Sequence, residues 1–474
     1  MDLSMSYYHK LSEKACLWLK VHRTDLLRDL SDLLRIPCIA QTQENPEAPY
    51  GLACRQALDF MLQRSQSAGL EIENFENRIG MATLPGTCTE AKPIRIWNHL
   101  DVVPIGAPSD WIIGQPFEPS IHHDYLICRG ADDNKGPALG MLYMLQALKE
   151  IGFQPKHSIC LCFGTDEERG MSDVLAWREK DYSSAVNIVA DAMFPVCFAE
   201  KGMIEADLIS KVPTPDILTF SGSDASNIVP GQAEIQLKGK WSCDIPDGSC
   251  NTDGIITVLH TEGISGHSAF PSGTKNALLS LCQAVSRLEL PTAERDLFDF
   301  FSKILKDPSG ATAAVASSDE ISGETTCIGT MAAVRDGHVL LHLNIRYVVS
   351  ADGSKLCEQL QKVAEQHGCS LEYKISEPNL YPRENPVVDE LTKIYNTVTG
   401  SSTMPLVLAG GTYARKLPNA FAYGLGILRP KDPGLFPPGH GGAHQCDEAL
   451  FLPDYFQAID IMTKAIIKAD QILP

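Results

Sequence analysis

Hydrophobic and polar positions change their spacing several times along the first 200 residues. Apolar side chains recur at helical spacing from residue 10 to residue 34, and leucines line one face of this stretch. Continuous apolar runs predict strands at 93–98, 159–163 and 185–190, and the run at 138–148 predicts a helix. This alternation of strands and helices predicts an α/β fold with a mainly parallel sheet flanked by helices.

After about residue 200 the pattern changes to short alternating strands separated by polar, Gly-rich turns. Strands are predicted at 233–237 and 339–343, and helices are predicted at 276–288, 293–305 and 356–366. Strands and helices that are mixed in this way indicate an α+β region rather than a continuation of the parallel sheet.

The α/β pattern returns near residue 386 and ends in a helix predicted at 454–468. We therefore expect a discontinuous α/β domain, formed by residues 1–200 and 385–474, with an inserted α+β domain at 201–384. A chain of 474 residues is too long for one typical core, in agreement with this division.

Composition and charge narrow the class of protein. The chain is 44% apolar and 21% charged, as is usual for a globular protein, and its net charge of -19 argues against nucleic acid or an anionic membrane as a partner. Its fifteen cysteines are scattered without a Cys-x-x-Cys pair, which favours small core residues and a reducing, cytoplasmic location. We expect neither a signal peptide nor a membrane span.

The first candidate site follows the strand predicted at 159–163, which runs directly into the adjacent carboxylates Glu167 and Glu168. Ligands of α/β sheets bind just beyond strand ends, and neighbouring carboxylates repel each other unless a positive charge lies close by. A metal ion would supply that charge, with one carboxylate as its ligand and the other available to move protons. The alternative interpretation is an acidic pair on a solvated loop.

Other potential ligands stand at the ends of neighbouring strands. His99 is followed by Asp101, so the imidazole can bind a metal while the carboxylate orients it. An acidic turn at 129–137 precedes the first predicted helix of the sheet region, and one of its aspartates could bridge two cations. Asp191 ends the next strand. The acidic residues of the turn and Asp191 could alternatively cap helices, and His99 could be a core histidine with a solvated aspartate nearby.

A last histidine lies near the C-terminal end of the chain. His444 follows a Gly/Pro-rich loop, and His440 is a competing histidine within that loop. With it, the chain offers two histidines, a bridging aspartate, two further carboxylates and a spare glutamate, mostly at strand ends. This inventory suits a hydrolytic site with two zinc ions about 3.5–4 Å apart.

The order and spacing of these motifs resemble the two-zinc exopeptidase family that includes aminoacylase, carnosinase and carboxypeptidase G. Within that family the chain is most similar to the large-lid branch of the bacterial dipeptidase V, an Xaa-His dipeptidase. The likeness extends over nearly the whole chain. Its motifs fall on His99 and Asp101, on residues 128–136, on Glu167 and Glu168, on Asp191 and on His444.

The resemblance implies a centre of two zinc ions per chain, with manganese or cobalt as possible substitutes. His99 and Asp191 would hold one ion and Glu168 and His444 the other, while Asp133 would bridge the two. Glu167 would act as the general base and Asp101 as the residue that orients His99. Cys128 and Asn134 depart from the family motif, and the family's cis peptide bond would fall between Asp133 and Asn134.

The resemblance also extends into the inserted domain, which corresponds to the family's lid. His267 is similar to the lid histidine that reaches the active site, and Asn227 to a lid asparagine of the substrate pocket. Arg346 is similar to the arginine that binds the substrate's C-terminal carboxylate, since a guanidinium fork suits a carboxylate. The loop at 410–415 resembles a substrate-binding loop, which adds Gly411, Thr412 and Arg415 as candidate contacts.

These features predict a metal-dependent dipeptidase that acts on short peptides with a free C-terminal carboxylate. An N-acyl amino acid deacylase would use the same chemistry, and a non-catalytic relative would be expected to lack a ligand or the general base. A protein without a metal, whose acidic turns only cap helices, is a further alternative. Because one chain supplies both His267 and Arg346, we expect a monomer, with a homodimer as the alternative.

Overall fold

The computed structural model of the protein describes residues 3–180, 183–223 and 225–474. Two compact units make up the chain. Unit 1 comprises Met1–Phe198, Leu380–Leu406 and Thr412–Pro474, and unit 2 comprises Ala199–Asn379 and Val407–Gly411. Nothing in the hydrophobic pattern indicates that the short segment Val407–Gly411 returns to unit 2.

A mainly parallel sheet forms the centre of unit 1, which confirms the predicted fold class. Its four central strands are parallel to one another and follow the order Ile159–Gly164, Ile94–His99, Val186–Val189 and Ala420–Ala422. All residues of these four strands are buried. Burial on both faces explains why their sequences form continuous apolar runs instead of alternating patterns.

Shorter and antiparallel strands complete this part of the chain, and three of them contain a boundary between the units. They are Glu71–Phe75, Ile79–Leu84, Ser120–His122, Tyr125–Ile127, Ala192–Met193, Cys197–Glu200, Asn379–Leu380, Leu406–Leu408, Leu425–Gly426 and Ala449–Phe451.

Helices cover the sheet of unit 1. The most buried of them, Lys135–Glu150, is apolar on nearly every side because it packs between the strand Ile94–His99 and other helices. The helices of unit 1 are Leu3–Val21, Arg23–Leu34, Leu52–Ser67, Lys135–Glu150, Ser172–Arg178, Pro386–Thr399 and Leu452–Ile472, with short 3-10 helices at Pro108–Asp110 and Tyr413–Lys416.

The helical stretch predicted at 10–34 is split into two helices. The first ends at Val21 and the second begins at Arg23, with His22 between them outside helical geometry (φ -98, ψ 13). The His22 ring stacks on Trp18 at a centroid distance of 3.7 Å, and its Nδ1 bonds the Trp18 carbonyl at 2.8 Å. The break therefore falls at a single residue within a stretch whose hydrophobic periodicity is continuous.

Unit 2 is an α+β unit with two four-stranded antiparallel sheets. The first contains Thr326–Arg335, His338–Tyr347, Gly202–Ser210 and Cys369–Ser376 in that order. The second contains Ile217–Ser221, Gln232–Lys238, Ile256–Glu262 and Gly248–Thr252 in that order. Short strands at Ile228–Val229, Gly266–His267, Ser318–Asp319 and Gly323–Glu324 and helices at Ala277–Val285, Thr292–Leu305 and Gly353–Gln366 complete it.

One apolar core joins the elements of unit 2. Leu281, Phe298 and Phe301 from the helices pack with Ile235 and Leu341 from the two sheets, and all five side chains are buried. The opposite face of the first sheet therefore remains available for polar side chains, since residues along a strand alternate between the faces.

All fifteen cysteines are free thiols, and ten of them are buried. Their burial agrees with the interpretation of these cysteines as small core residues. Across residues 3–180, 183–223 and 225–474, none of the helices combines the length and the apolar character that crossing a membrane requires.

Candidate metal centre

Parallel strands deliver the candidate ligands of unit 1 to one edge of the sheet. His99 is the last residue of its strand and pairs in register with Gly164, the last residue of the neighbouring strand. The turn 165–168 follows Gly164, and Asp191 follows the next parallel strand, Val186–Val189. Because parallel strands end at the same edge of a sheet, these side chains lie together.

The turn that carries Glu167 and Glu168 is held by two fully buried aspartates. Its first two amides donate to Oδ2 of Asp173 at 2.8 and 3.1 Å. The amides of Glu167 and Glu168 donate to Oδ1 and Oδ2 of Asp101, each at 3.1 Å. Four successive amides are thus bound to carboxylates, and these charge-assisted bonds fix the direction in which the two glutamates leave the backbone.

Gly164 begins this turn because there is no room for a larger residue. A Cβ at position 164 would collide with the hydroxyl of Tyr413 and with the carboxylate of Asp173. The Tyr413 hydroxyl itself donates to Oδ2 of Asp173 at 2.6 Å. The 3-10 helix that contains Tyr413 therefore stabilises the turn through Asp173.

Asp133 lies between the two predicted histidine ligands. Its Oδ1 is 2.9 Å from Nε2 of His99, and its Oδ2 is 3.1 Å from Nε2 of His444. His99 Nε2 is also 3.6 Å from Oδ2 of Asp191, and His444 Nε2 is 3.0 Å from Oε1 of Glu168. The five side chains therefore form two groups that share Asp133, with one histidine and one further carboxylate in each.

Glu167 lies next to the first of these groups. Ligand atoms of His99, Glu167 and Asp191 all lie within 4.8 Å of one another, as do those of His99, Asp133 and Glu168. His99 is thus close to both glutamates, whereas the contact of His444 is with Glu168. Glu167 is 9% exposed, so its carboxylate is at the buried side of the site.

His99 and Asp191 are oriented by groups behind them. Nδ1 of His99 bonds the backbone carbonyl of Asp101 at 2.9 Å, which leaves Nε2 directed at Asp133. Nδ2 of Asn134 donates to Oδ1 of Asp191 at 2.7 Å and to the carbonyl of Ala190 at 3.0 Å. Asparagine at position 134 is thus fully used as a donor. The Asp133–Asn134 peptide bond is cis, as the family resemblance implies.

The loop of His444 is anchored by a buried ion pair. Arg129 Nη1 donates to Oε2 of Glu448 at 2.7 Å, and both side chains are 1% exposed. Oε1 of Glu448 accepts from the amides of Asp132 and Asp133 at 2.9 and 3.0 Å. One glutamate therefore ties the loop of His444 to the backbone of the shared aspartate.

The competing histidine, His440, is used elsewhere. Its Nδ1 bonds Oδ2 of Asp447 at 2.7 Å, and Asp447 also accepts from the amides of residues 112–114. His444 adopts a left-handed backbone conformation, with φ of 63°. This conformation is uncommon for residues other than glycine, and it contributes to the path that brings His444 to Asp133.

Electrostatics indicate that the site needs positive charge. Burial raises the pKa of Asp191 to about 6 and, together with the neighbouring carboxylates, raises the pKa of Glu167 well above its usual value. Burial opposes a charge on His99, but Asp191 and the surrounding hydrogen bonds raise its pKa well above the usual range. Partial burial lowers the pKa of His444, yet its bonds to Asp133 and Glu168 raise it to about 11.

The donor set fits divalent metal ions. Two imidazole nitrogens and carboxylate oxygens are ligands that suit zinc. Two ligand atoms that each lie 2.0–2.1 Å from a tetrahedral ion are about 3.3 Å apart, and the contacts around Asp133 range from 2.9 to 3.6 Å. The residues present are therefore able to hold a metal in each of the two groups.

In unit 2 the predicted lid residues converge around the short strand pair. Ile228, next to Asn227, pairs with His267, and the carbonyl of Asn227 accepts from the Ser268 amide at 2.8 Å. Nδ1 of His267 accepts from the amide of Ala269 at 3.1 Å, so in the neutral ring Nε2 carries the proton.

Arg346 of the same unit is buried, with its Nη1 bound to the carbonyl of Ala409 at 3.2 Å. Gly411 follows two residues after Ala409 in the segment that returns to unit 2. Thr412 and Arg415 belong to unit 1, where Thr412 is buried and its hydroxyl accepts from the Ala414 amide at 3.1 Å to begin the 3-10 helix. Through this bond Thr412 caps the 3-10 helix.

Several residues that shape the site were not found by sequence reasoning. In the sequence Asp173 resembles an ordinary acidic residue in the first turn of the helix Ser172–Arg178. Glu448 resembles an ordinary acidic residue that follows His444. Tyr413 reads as an aromatic core residue. The sequence gives only a weak indication that Arg129 and Glu448 form a buried pair. The two residues carry opposite charges, and each lies in a segment that also contains a candidate ligand.

Comparison with known proteins places these features in a family. A profile described as Peptidase family M20/M25/M40 matches residues 96–468. The chain is 28% identical over 466 residues to a Bacillus subtilis protein named "Putative dipeptidase YtjP", which covers 94% of this chain and 97% of that protein.

Solved structures share the fold at lower identity. The di-peptidase Dug1p from Saccharomyces cerevisiae matches with a TM-score of 0.62 and 13% identity, over 97% of this chain and 98% of that chain. The aminoacylhistidine dipeptidase from Vibrio alginolyticus matches with a TM-score of 0.56 and 14% identity, over 95% and 96% of the two chains. These likenesses support the predicted architecture.

Proposed function

The chain belongs to peptidase family M20/M25/M40 and is a metallopeptidase, and on this premise we propose that it hydrolyses dipeptides at a centre of two zinc ions. The observation that carries the proposal is the position of Asp133, whose two carboxylate oxygens each face a different histidine. A carboxylate in that position can bind two ions at once. The relative from Bacillus subtilis, a dipeptidase by name, supports the choice of substrate.

In this proposal His99 and Asp191 hold one ion, Glu168 and His444 hold the other, and Asp133 is shared. When bound, zinc ions lower the pKa of a water molecule and polarise a carbonyl group. The short contacts of each histidine with its own carboxylate and with Asp133 support this division.

Glu167 is the proposed general base. It takes a proton from the attacking water and delivers a proton to the leaving amine. Burial and the neighbouring carboxylates raise the pKa of Glu167, which suits a group that must both accept and release a proton. Asp101 keeps Glu167 in place through the amide of the turn and sets the orientation of His99 through its backbone carbonyl.

Residues of unit 2 are proposed to recognise the substrate. His267 would donate from Nε2 to the oxygen that gains negative charge, because its Nδ1 already accepts the Ala269 amide. Arg346 would bind the free C-terminal carboxylate, with Asn227 and Gly411 as further contacts. Thr412 and Arg415 of unit 1 complete the proposed substrate-binding loop.

A panel of dipeptides and N-acetyl amino acids, each measured with and without a chelator, tests the proposal. We expect the dipeptides to be hydrolysed, the N-acetyl amino acids to be poor substrates, and the chelator to abolish turnover. Turnover of acylated substrates alone would identify a deacylase. Chelator-resistant hydrolysis would refute the metal centre.

The setting proposed for this activity is the cytoplasm, because the fifteen free thiols favour a reducing compartment. A monomer is the proposed working form, since His267 and Arg346 are supplied by one unit of one chain. Analytical ultracentrifugation of the active protein would check this, and a stable dimer at assay concentration would contradict it.

A further inference from the structure

One buried amide on the polar face of unit 2 connects the two groups proposed to contact the substrate. Asn344 lies two residues before Arg346 on the strand His338–Tyr347, so both side chains point to the same face of the sheet. The neighbours Leu343 and Ile345 belong to the apolar core on the other face. Asn344 is 1% exposed, so its bonding is determined by the protein and not by solvent.

The side-chain oxygen of Asn344 accepts two hydrogen bonds. Nε of Arg346 donates to it at 2.9 Å, and the hydroxyl of Ser268 donates to it at 3.0 Å. Ser268 is fully buried and is the residue that follows His267. A single oxygen atom thus binds both the guanidinium and the end of the strand that presents His267.

These bonds determine the orientation of the guanidinium. Nε is held by Asn344 and Nη1 by the carbonyl of Ala409, so the plane of the Arg346 head group is fixed at two of its three nitrogens. A planar fork that is already oriented loses less rotational freedom when it binds a carboxylate. The bond to Ser268 fixes the same guanidinium relative to His267.

We propose that Asn344 is a positioning residue that makes the protein selective for peptides with a free C-terminal carboxylate. It acts through Arg346 and does not touch the substrate. The inference rests on the proposed function, because it assigns the carboxylate to Arg346. It goes beyond that function by naming the residue that controls how strongly the protein prefers a peptide with a C-terminal carboxylate over one with an uncharged C-terminus.

The measurement is the ratio of kcat/KM for a dipeptide to kcat/KM for the same dipeptide with a C-terminal carboxamide. Asn344→Leu has a similar volume and lacks the acceptor. We expect it to lower kcat/KM for the dipeptide roughly 10- to 100-fold, which corresponds to a lost hydrogen bond to a charged group. The carboxamide should be affected much less, so the ratio should fall. Thr326→Val is the matched control, because Thr326 pairs with Arg346 across the sheet and its buried hydroxyl has no partner.

The outcomes separate the two proposals. If the wild-type protein hydrolyses dipeptide and carboxamide equally well, the assignment of the carboxylate to Arg346 is wrong. If the wild-type protein discriminates and Asn344→Leu lowers both rates by the same factor, Asn344 has only a structural role and the inference is refuted. Asn344→Ala also removes this acceptor and decides the question if the leucine variant does not fold; because a water can partly replace the acceptor, we expect the ratio to fall in the same direction by a smaller factor.

Discussion

The buried pair of Arg129 and Glu448 provides a test of how the protein fixes its shared aspartate. We consider three variants: Arg129→Met, Glu448→Gln and the double variant. Glutamine can keep the oxygen that accepts the amides of Asp132 and Asp133. It also places a donor against Arg129, whose charge then has no counter-ion.

The magnitude follows from burial. Both side chains are 1% exposed and the two charged atoms are 2.7 Å apart, so removal of either partner leaves a buried charge alone. Breaking such a pair costs about 3–5 kcal/mol, whereas replacing both partners costs much less. We therefore expect each single variant to lose about 3–5 kcal/mol and the double variant to lose at least about 3 kcal/mol less than the sum of the two.

Urea unfolding of the metal-free protein, followed by tryptophan fluorescence, measures these values. Trp111 is a suitable probe because the guanidinium of Arg129 lies 5.4 Å from the centre of its ring. Additive losses, within about 0.5 kcal/mol, would contradict this expectation, since they would mean that neither charge depends on the other. Zinc affinity of the single variants should fall in parallel, because Glu448 holds the backbone of Asp133.

Three further predictions concern the turn and the ions. In Asp101→Asn, one of the two oxygens that accept the amides of Glu167 and Glu168 is replaced by a donor. We expect kcat/KM to fall about tenfold or more. Unchanged kinetics would contradict the role of Asp101. Tyr413→Phe removes a donor to Asp173, whose pKa is raised to about 7 by burial. Asp173 is neutral below that pH and ionised above it, and a hydrogen bond to an ionised acceptor is the stronger one. The variant should therefore lose about 1 kcal/mol of stability at pH 5 and about 1.5–3 kcal/mol at pH 8. Equal losses at both pH values would contradict this pH dependence. Addition of zinc at 100 times its dissociation constant should stabilise the metal-free protein by about 2.7 kcal/mol for one site. This stabilisation is measured as a rise in melting temperature. An unchanged melting temperature would show that no ion binds.

The parts of the site that sequence reasoning could predict are those that depend on strand ends. His99, the Glu167–Glu168 turn and Asp191 follow parallel strands, and such strands end at one edge of a sheet. The fold class follows from the same alternation of strands and helices. These are regularities of local sequence and of sheet geometry.

The supporting contacts depend on pairs that are distant in the chain. Arg129 and Glu448 are 319 residues apart, and Asp173 and Tyr413 are 240 residues apart. No local pattern contains such a pair, and each partner by itself resembles an ordinary charged or core residue. His440 and His444 likewise occur in the same Gly/Pro-rich segment, and only the folded loop places His444 beside Asp133 and His440 beside Asp447.

The roles of Glu167 as general base and Glu168 as metal ligand are tested together by counting the bound zinc ions and measuring turnover in Glu167→Gln and Glu168→Gln. Chelated protein would be reloaded with zinc, dialysed and analysed by mass spectrometry, and dipeptide hydrolysis would be measured on the same samples. We expect two ions per chain and almost no turnover in Glu167→Gln, and loss of one ion in Glu168→Gln. Near-normal hydrolysis by Glu167→Gln, or fewer than two ions in the wild-type protein, would contradict it.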